Sequence, residues 1–314
     1  MKKTRSAVIG CGNMGRHHVR LYSDLTSLCA ISDISSAHGK SLADKYHTKF
    51  YKDYQEMLTN EKPDVVSVAV PTNLHYDVTL ECLSRKIAVL VEKPIANTVK
   101  QGELLLENAR KNRTFLMVGH VERFNPVVKK LKQIISQGRL GKILSLVAMR
   151  VGINPPPTKD SDVAMELAIH DVDVLNFIMD KVPNNKKIIR HKIFKDNLAD
   201  SASIMLEYNG ATALIQTNWI TPIKMRKLYV TGIKGFAEVD YIDQRLTLYD
   251  KIILPKPEGD FYELVTLFKS PKKEIFVFKK EPLKQELLYF LKNYKTHDYK
   301  NVEDSIASLE ILHI

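Results

Sequence analysis

Apolar and polar positions follow two different rhythms along the chain. Up to residue 119, short apolar runs at 6–10, 28–33, 65–70, 87–92 and 115–119 are separated by stretches of helical spacing at 14–22, 35–46, 74–85 and 98–110. The runs at 65–70 and 87–92 are continuous and rich in Val, as strands buried on both faces are. Thr98 and Gln101 have the spacing of a capping box. Strands alternating with helices in this way predict a doubly wound parallel sheet.

Beyond this point the rhythm changes. Residues 163–180 read as a helix, and 202–208 and 211–219 as two strands joined by Asn209-Gly210, a strong hairpin signal. Further strands are predicted at 229–231, 236–241 and 245–249, and helices at 281–294 and 302–314. A boundary is expected at 121/122, giving domains of 1–121 and 122–314, with the last helices able to pack back on the first. The run Pro155-Pro156-Pro157 reads as a rigid loop.

The first apolar run ends in Gly10-Cys11-Gly12-Asn13-Met14-Gly15, a GxGxxG between a strand and a helix. In that context Gly10 permits the tight turn, Gly12 lets a pyrophosphate approach the backbone, and Gly15 allows close packing of helix on strand. Asp33 ends the second strand, where a carboxylate can accept hydrogen bonds from a ribose diol. It is followed by Ile34-Ser35-Ser36, without an adjacent Arg for a 2′-phosphate, which favours NAD over NADP. Asn13 and Met14 belong to the same cofactor loop. The third strand ends in Pro71-Thr72-Asn73-Leu74-His75 and the next in Glu92-Lys93-Pro94. Both ends lie at the carboxyl edge of the expected sheet, where such sheets bind ligands. Pro71, Thr72, His75, Glu92 and Lys93 are therefore further cofactor candidates, although a Lys beside a Glu is also an ordinary solvated pair.

On the helix at 163–180, about 100° per residue places Met165, Ile169, Val172, Asn176 and Met179 on one, mostly apolar side. Glu166, His170 and Asp173 form a separate patch. An acid one turn from a His can fix its tautomer and raise its basicity, which suits a base acting on a hydroxyl. The same three side chains suit a divalent ion, or form nothing more than a polar helix face.

Composition narrows the classes. The 314 residues include 44% hydrophobic and 26% charged residues, an ordinary globular balance, and the length fits two domains. No apolar run approaches the roughly 18 residues of a membrane helix. The basic start, Met1-Lys2-Lys3-Thr4-Arg5, leads into only three apolar residues before the Gly loop, which is too few for a secretory signal. Cys11, Cys29 and Cys82 are odd in number and lack CxxC spacing, so a reducing cytoplasm is expected, with no Cys-based metal site. The net charge of +11 is spread along the chain. It suits anionic ligands such as nucleotides, but no basic stripe or reader motif points to nucleic acid.

The combination of Gly10–Gly15, Glu92-Lys93-Pro94 and Glu166-x-x-x-His170-x-x-Asp173 resembles the Gfo/Idh/MocA oxidoreductases over nearly the whole chain. Within that family, Gly119-His120-Val121-Glu122-Arg123-Phe124-Asn125-Pro126, Arg150-Val151-Gly152 and residues 167–174 are most similar to UDP-N-acetylglucosamine 3-dehydrogenases. The resemblance implies an N-terminal Rossmann domain and a C-terminal α/β domain with an open, mostly antiparallel sheet, often used for homo-oligomerisation. It implies NAD-dependent oxidation of a sugar carbon, here C3 of UDP-N-acetylglucosamine. In that scheme Lys93 binds or deprotonates the reacting hydroxyl, and His170 is the acid/base with Glu166 beside it. Glu166 stands where many relatives carry Asp, and Asp160-Ser161-Asp162 where many have Gly-Gly. Arg123, Asn125, Arg150, Lys159 and Asp173 are candidates for substrate contacts, the cations facing the diphosphate. A pyridoxal-phosphate aminotransferase would act next, making a 3-amino sugar for envelope lipids such as lipid A or for polysaccharide. Other expectations from the same resemblance are oxidation of another sugar, a uronic acid sugar nucleotide or a cyclitol, or a non-catalytic NAD-binding regulator.

Overall fold

The computed structural model describes residues 3–153, 162–194, 198–250 and 271–313. They form two compact units, one running to Phe124 and resuming at Glu281, the other spanning Asn125–Lys280.

The first unit opens with β1 (Arg5–Ile9), α1 (Gly15–Leu25), β2 (Ser27–Ser32) and α2 (Ser36–Lys45). It continues through β3 (Lys49–Tyr51), α3 (Tyr54–Glu61), β4 (Val65–Val68), α4 (Thr72–Ser84), β5 (Ala88–Glu92), α5 (Val99–Asn112) and β6 (Leu116–Gly119). The six strands pair in parallel in the order β3-β2-β1-β4-β5-β6. This is the doubly wound Rossmann order, with its switch point between β1 and β4. Every residue of β4, β5 and β6 is buried, which explains their unbroken apolar character. The capping box of α5 is formed: Thr98 Oγ1 accepts from the Gln101 N–H, and the Gln101 side chain accepts from the Thr98 N–H. The periodicity does not single out β3 and α3. Strand β3 is a three-residue edge strand with no buried residue, so it lacks an apolar signature.

The first unit closes with α8 (Pro282–Asn293) and α9 (Lys300–Leu312). The last two helices of the 122–314 stretch lie in the first unit for a physical reason. Leu283, Leu287 and Phe290 of α8 are buried in the same apolar cluster as Leu21, Phe115, Met117 and Phe124. The rings of Phe115 and Phe290 lie 5.9 Å apart. In α9, Asn301 Oδ1 accepts from the Val118 N–H at 2.6 Å, fastening that helix to β6.

The second unit contains α6 (Pro126–Ser136), β7 (Ile143–Val151), α7 (Ile169–Met179) and β8 (Asn185–His191). It also contains β9 (Ser201–Tyr208), β10 (Ala211–Asn218), β11 (Met225–Gly232), β12 (Gly235–Asp240), β13 (Arg245–Asp250) and β14 (Lys272–Ile275). The eight strands are ordered β14-β13-β12-β11-β7-β10-β9-β8, antiparallel except for the parallel pair β7–β10. The Asn209-Gly210 hairpin is present, with Gly210 at φ 84°, a conformation that favours glycine. One face of this sheet buries alternate residues of every central strand, including Leu146, Ala148, Ile204, Leu206, Ala213, Ile215, Leu228 and Val230.

The helix expected at 163–180 is interrupted: residues Ala164–Ala168 form a π-helical turn that runs into α7. A π turn advances more residues per turn than an α-helix, so it breaks the 100° phase used to align Glu166 with His170 and Asp173. The spread of burial agrees, because Asp173 is buried whereas Glu166 and His170 are half-buried.

If α8 is part of the first core, Phe290→Ala should lower the stability of the chain by about 3–5 kcal/mol, the usual cost of deleting a buried ring. Denaturant unfolding followed by fluorescence tests this, and a loss below about 1 kcal/mol would mean that α8 is only peripherally attached.

Candidate active site

The Gly loop sits between β1 and α1 and is held from both sides. The Gly10 N–H donates to Ser32 O at 2.8 Å, and the Cys11 N–H to Asp33 Oδ2 at 2.7 Å. Gly10 has φ 87°, and a Cβ there would lie 2.5 Å from Ala69 O. A Cβ on Gly15 would lie 1.8 Å from Gly10 O. Both glycines are therefore demanded by the chain itself. Gly12 is different, since a Cβ there would meet nothing within 4 Å. The free space over Gly12, at the approach to the α1 N-terminus, fits a pyrophosphate on backbone N–H groups. Asn13 and Met14 complete this turn. Besides Cys11 N–H, Asp33 accepts the Ser35 N–H on Oδ1 at 2.7 Å, so it shapes two loops while its remaining lone pairs suit a ribose diol. Burial, with Asp33 adding to it, pushes the Cys11 thiol up to about 12, which removes it from thiolate chemistry.

Pro71 is exposed, and Thr72 begins α4 half-buried at the end of the β4 loop. His75 is buried on the first turns of α4, with Nδ1 2.7 Å from Pro94 O and Nε2 2.9 Å from Val70 O. It thus ties the loop after β4 to the loop after β5. Burial pushes its pKa below the ordinary range despite the two carbonyls, so the ring is neutral and donates to one carbonyl at a time.

Glu92 ends β5 and is 7% exposed, next to the half-buried Lys93. Its Oε1 lies 2.9 Å from Nε2 of His18, a fully buried side chain of α1. On the other side of the ring, Nδ1 lies 3.0 Å from Ser67 Oγ, which lies 2.8 Å from the Tyr22 hydroxyl. Burial by itself would raise the Glu92 pKa. The His18 hydrogen bond and charge, helped by Lys93 and His75, reverse this and hold the carboxyl below its ordinary value. Glu92 is thereby an ionised group inside the sheet that sets the end of β5. His18 escaped the motif reading. Its sequence signal was a polar ring on the same face of α1 as the buried Val19, Leu21 and Tyr22, where it must find a partner.

In the second unit, Arg150 is 2% exposed and reaches Asp171 with two bonds, Nε–Oδ2 at 2.7 Å and Nη2–Oδ1 at 3.1 Å. The Tyr241 ring lies 5.3 Å from its guanidinium carbon. This buried fork fastens β7 to α7 at the residue after His170, and it takes up the group expected to face a diphosphate. Asn125 is also buried. It caps α6 through the Val127 N–H and donates to Tyr241 O at 3.1 Å. In the first unit, Arg123 is buried and paired with Asp304 of α9 at 3.0 Å. These three residues are built into the packing of their own units. Lys159 lies outside the described residues. Asn176 of α7 accepts from the Tyr208 hydroxyl at 2.9 Å. Among the described residues no helix is long and apolar enough to cross a membrane.

A parallel sheet of this order, a glycine turn with room for a pyrophosphate and an acid at the end of β2 define an NAD-binding Rossmann domain. Comparison with known proteins agrees. The oxidoreductase family with an NAD-binding Rossmann fold matches residues 4–120, and the GFO/IDH/MocA C-terminal domain matches residues 128–238. The chain belongs to the Gfo/Idh/MocA oxidoreductase family and is an NAD-dependent member of it. Among its relatives, a UDP-N-acetylglucosamine 3-dehydrogenase of Acidithiobacillus ferrooxidans is 24% identical over 247 residues, 79% of this chain and 77% of that protein. A myo-inositol 2-dehydrogenase of Thermotoga maritima is 24% identical over 322 residues, 98% and 93% of the two chains. The solved structure of the Acidithiobacillus ferrooxidans UDP-N-acetylglucosamine 3-dehydrogenase superposes with a TM-score of 0.84 at 22% identity, over 99% of this chain and 95% of that one.

Removing His18 leaves a buried carboxylate without its main partner, so His18→Ala should cost about 3–5 kcal/mol at pH 7. In the intact protein Glu92 has a lowered pKa, so its contribution is present above the unfolded carboxyl pKa and is lost as the pH falls through the folded value. Without His18, burial raises that pKa, and the gap between the two proteins should narrow as the pH falls toward 4. Thermal unfolding between pH 4 and 8 measures this. A gap that stays constant with pH would show that Glu92 is not the partner responsible.

Proposed function

We propose that the chain oxidises the C3 hydroxyl of UDP-N-acetylglucosamine to the 3-keto sugar nucleotide. The observation that supports this substrate best is the correspondence, over 79% of the chain, with a relative of that activity. The stretch Gly119–Pro126 and the residues around His170 point the same way. Bound NAD would supply the acceptor for the hydride leaving C3. His170 takes the hydroxyl proton as the hydride departs, because a sugar hydroxyl is too weak an acid to ionise first. Lys93 stabilises the developing alkoxide with its positive charge. Glu166 supports His170. Asp173, buried on α7, and the buried Arg150, Arg123 and Asn125 act by positioning the backbone that carries these groups rather than by touching the diphosphate. A cyclitol is the second reading, favoured by the myo-inositol 2-dehydrogenase that matches over 98% of the chain.

The product, a 3-ketone, is the substrate type of a pyridoxal-phosphate aminotransferase, and we place that reaction next, on the way to a 3-amino sugar for lipid A or polysaccharide. A reducing cytoplasm suits the three cysteines, which are unbonded in the structure. The second sheet supports self-association. The face opposite its buried side carries Met205, Leu214, Val147 and Tyr229 in register across β9, β10, β7 and β11. It continues through Phe236 and Tyr249, whose rings lie 5.6 Å apart. An apolar strip across six strands suits a second copy of the chain.

Two experiments test these assignments. NADH absorbance with UDP-N-acetylglucosamine, its uronic acid form and myo-inositol should rise with the first alone; a rise only with myo-inositol would establish the cyclitol reading. Lys93→Met and His170→Gln should each lower turnover by about 10²–10⁴ with NAD affinity unchanged, and normal turnover in either variant would remove that residue from the mechanism. Separately, the double variant Leu214→Lys with Tyr229→Glu should reduce the mass in solution, by light scattering, to that of a single chain. An unchanged oligomer would place the interface elsewhere.

A further inference from the structure

The opposite, amino edge of the Rossmann sheet carries a cavity of about 640 Å³, within the range of small-molecule sites. Three successive helix-to-strand loops line it, those preceding β4, β5 and β6, together with the end of α8. They bring Lys62, Arg85, Lys86, Arg113 and Lys295 into one concave surface, against the single carboxylate of Asp64. That carboxylate is already engaged, accepting the Arg5 N–H on Oδ2 at 2.8 Å. Arg85 is engaged too, with Nε on Glu81 at 2.7 Å and Nη1 on Thr59 Oγ1 at 2.8 Å. Among the described residues, Lys62, Lys86, Arg113 and Lys295 form no ion pair.

One account of these cations is local: basic residues at helix C-termini offset the helix dipole. The magnitudes leave an excess. Four C-termini at about half a negative charge each, with Asp64, balance roughly three of five positive charges. The backbone adds a second argument. Lys62, Lys86 and Arg113 sit at φ 47°, 60° and 51°, the left-handed conformation in which glycine ends helices without strain. The chain also ends α2 and α7 in this conformation without glycine, at His47 and Asp180, but neither of those is a long cation and neither lines the cavity. Here all three strained positions hold long cations, and all three line the same cavity.

We infer that this cavity binds a small molecule carrying two or more phosphate groups, at a site separate from the NAD-binding edge. Single carboxylates lack the charge density to engage four unpaired cations, whereas adjacent phosphates present several acceptor oxygens to each of them. The Lys295 ammonium, 5.4 Å from the Tyr294 ring centre, closes one side. Being partly exposed, the site should weaken as salt is raised.

The test uses the whole protein saturated with NAD, so that the Gly loop is occupied, and inorganic tripolyphosphate as the probe, with citrate as a control anion. Calorimetry should show one tripolyphosphate bound per chain, at least tenfold tighter than citrate. The triple variant Lys62→Gly, Lys86→Gly, Arg113→Gly relieves the left-handed backbone and should fold. It should bind tripolyphosphate at least tenfold more weakly, with NAD affinity unchanged. Should the triple variant fold poorly, each single glycine variant is expected to weaken binding at least twofold. Absence of binding to the NAD-saturated protein, equal binding of citrate, or unchanged binding in the variants would each overturn the proposal.

Discussion

The carboxylate of Glu92 is a charge buried inside a parallel sheet, and the site end of the first unit is organised around keeping it ionised. An unpartnered carboxylate in that position would be strongly disfavoured. His18 supplies the partner from α1, the helix that starts at the Gly loop. The same ring reaches Ser67 on β4, and Ser67 reaches Tyr22. The helix that starts at the Gly loop, the strand at the switch point and the strand ending beside Lys93 are thus joined through one histidine. His75 does the same between the loops that follow β4 and β5. Cofactor loop and candidate lysine are held by a common set of buried polar contacts, which is how a site keeps its geometry without relying on mobile loops.

The second unit uses the same physics with different residues. A helix that is apolar on most sides can slide or rotate on a sheet, because apolar contacts are not directional. The two-bonded fork from Arg150 to Asp171 is directional, and it acts at the residue adjoining His170. The Tyr208–Asn176 hydrogen bond fixes the following turns of α7. The chain therefore places a buried, hydrogen-bonded charge next to each of its two candidate chemical groups: Glu92 beside Lys93, and Asp171 beside His170.

Much of this was legible in the sequence. The parallel sheet followed from Val-rich runs and helical spacing, and the NAD site from a GxGxxG in strand–helix context with Asp33 behind it. The hairpin followed from Asn209-Gly210. What was hidden depended on contacts distant along the chain. His18 and Glu92 are 74 residues apart, and no local pattern marks the pair. The buried pair of Arg150 and Asp171 is likewise 21 residues apart, and no local pattern marks it. The patch of Glu166, His170 and Asp173 assumed an unbroken α-helix, and the π turn at Ala164–Ala168 has no signature in spacing. That the last helices could return to the first domain was an expectation from the sequence; the contact that holds α8 there, Phe290 on Phe115, is a matter of tertiary packing.

The Rossmann sheet thus presents two edges with different chemistry: glycine turns and buried polar contacts at the carboxyl edge, a cationic hollow at the other. The proposed reaction at the first edge is the departure of a hydride from C3 of a UDP-linked N-acetylglucosamine to NAD. Its most direct test is turnover of UDP-N-acetylglucosamine carrying deuterium only at C3, with the reduced cofactor analysed by mass spectrometry. Hydride transfer from C3 yields NADH heavier by one deuterium. NADH formed from that substrate without deuterium would contradict it, because the hydride would then have left another carbon.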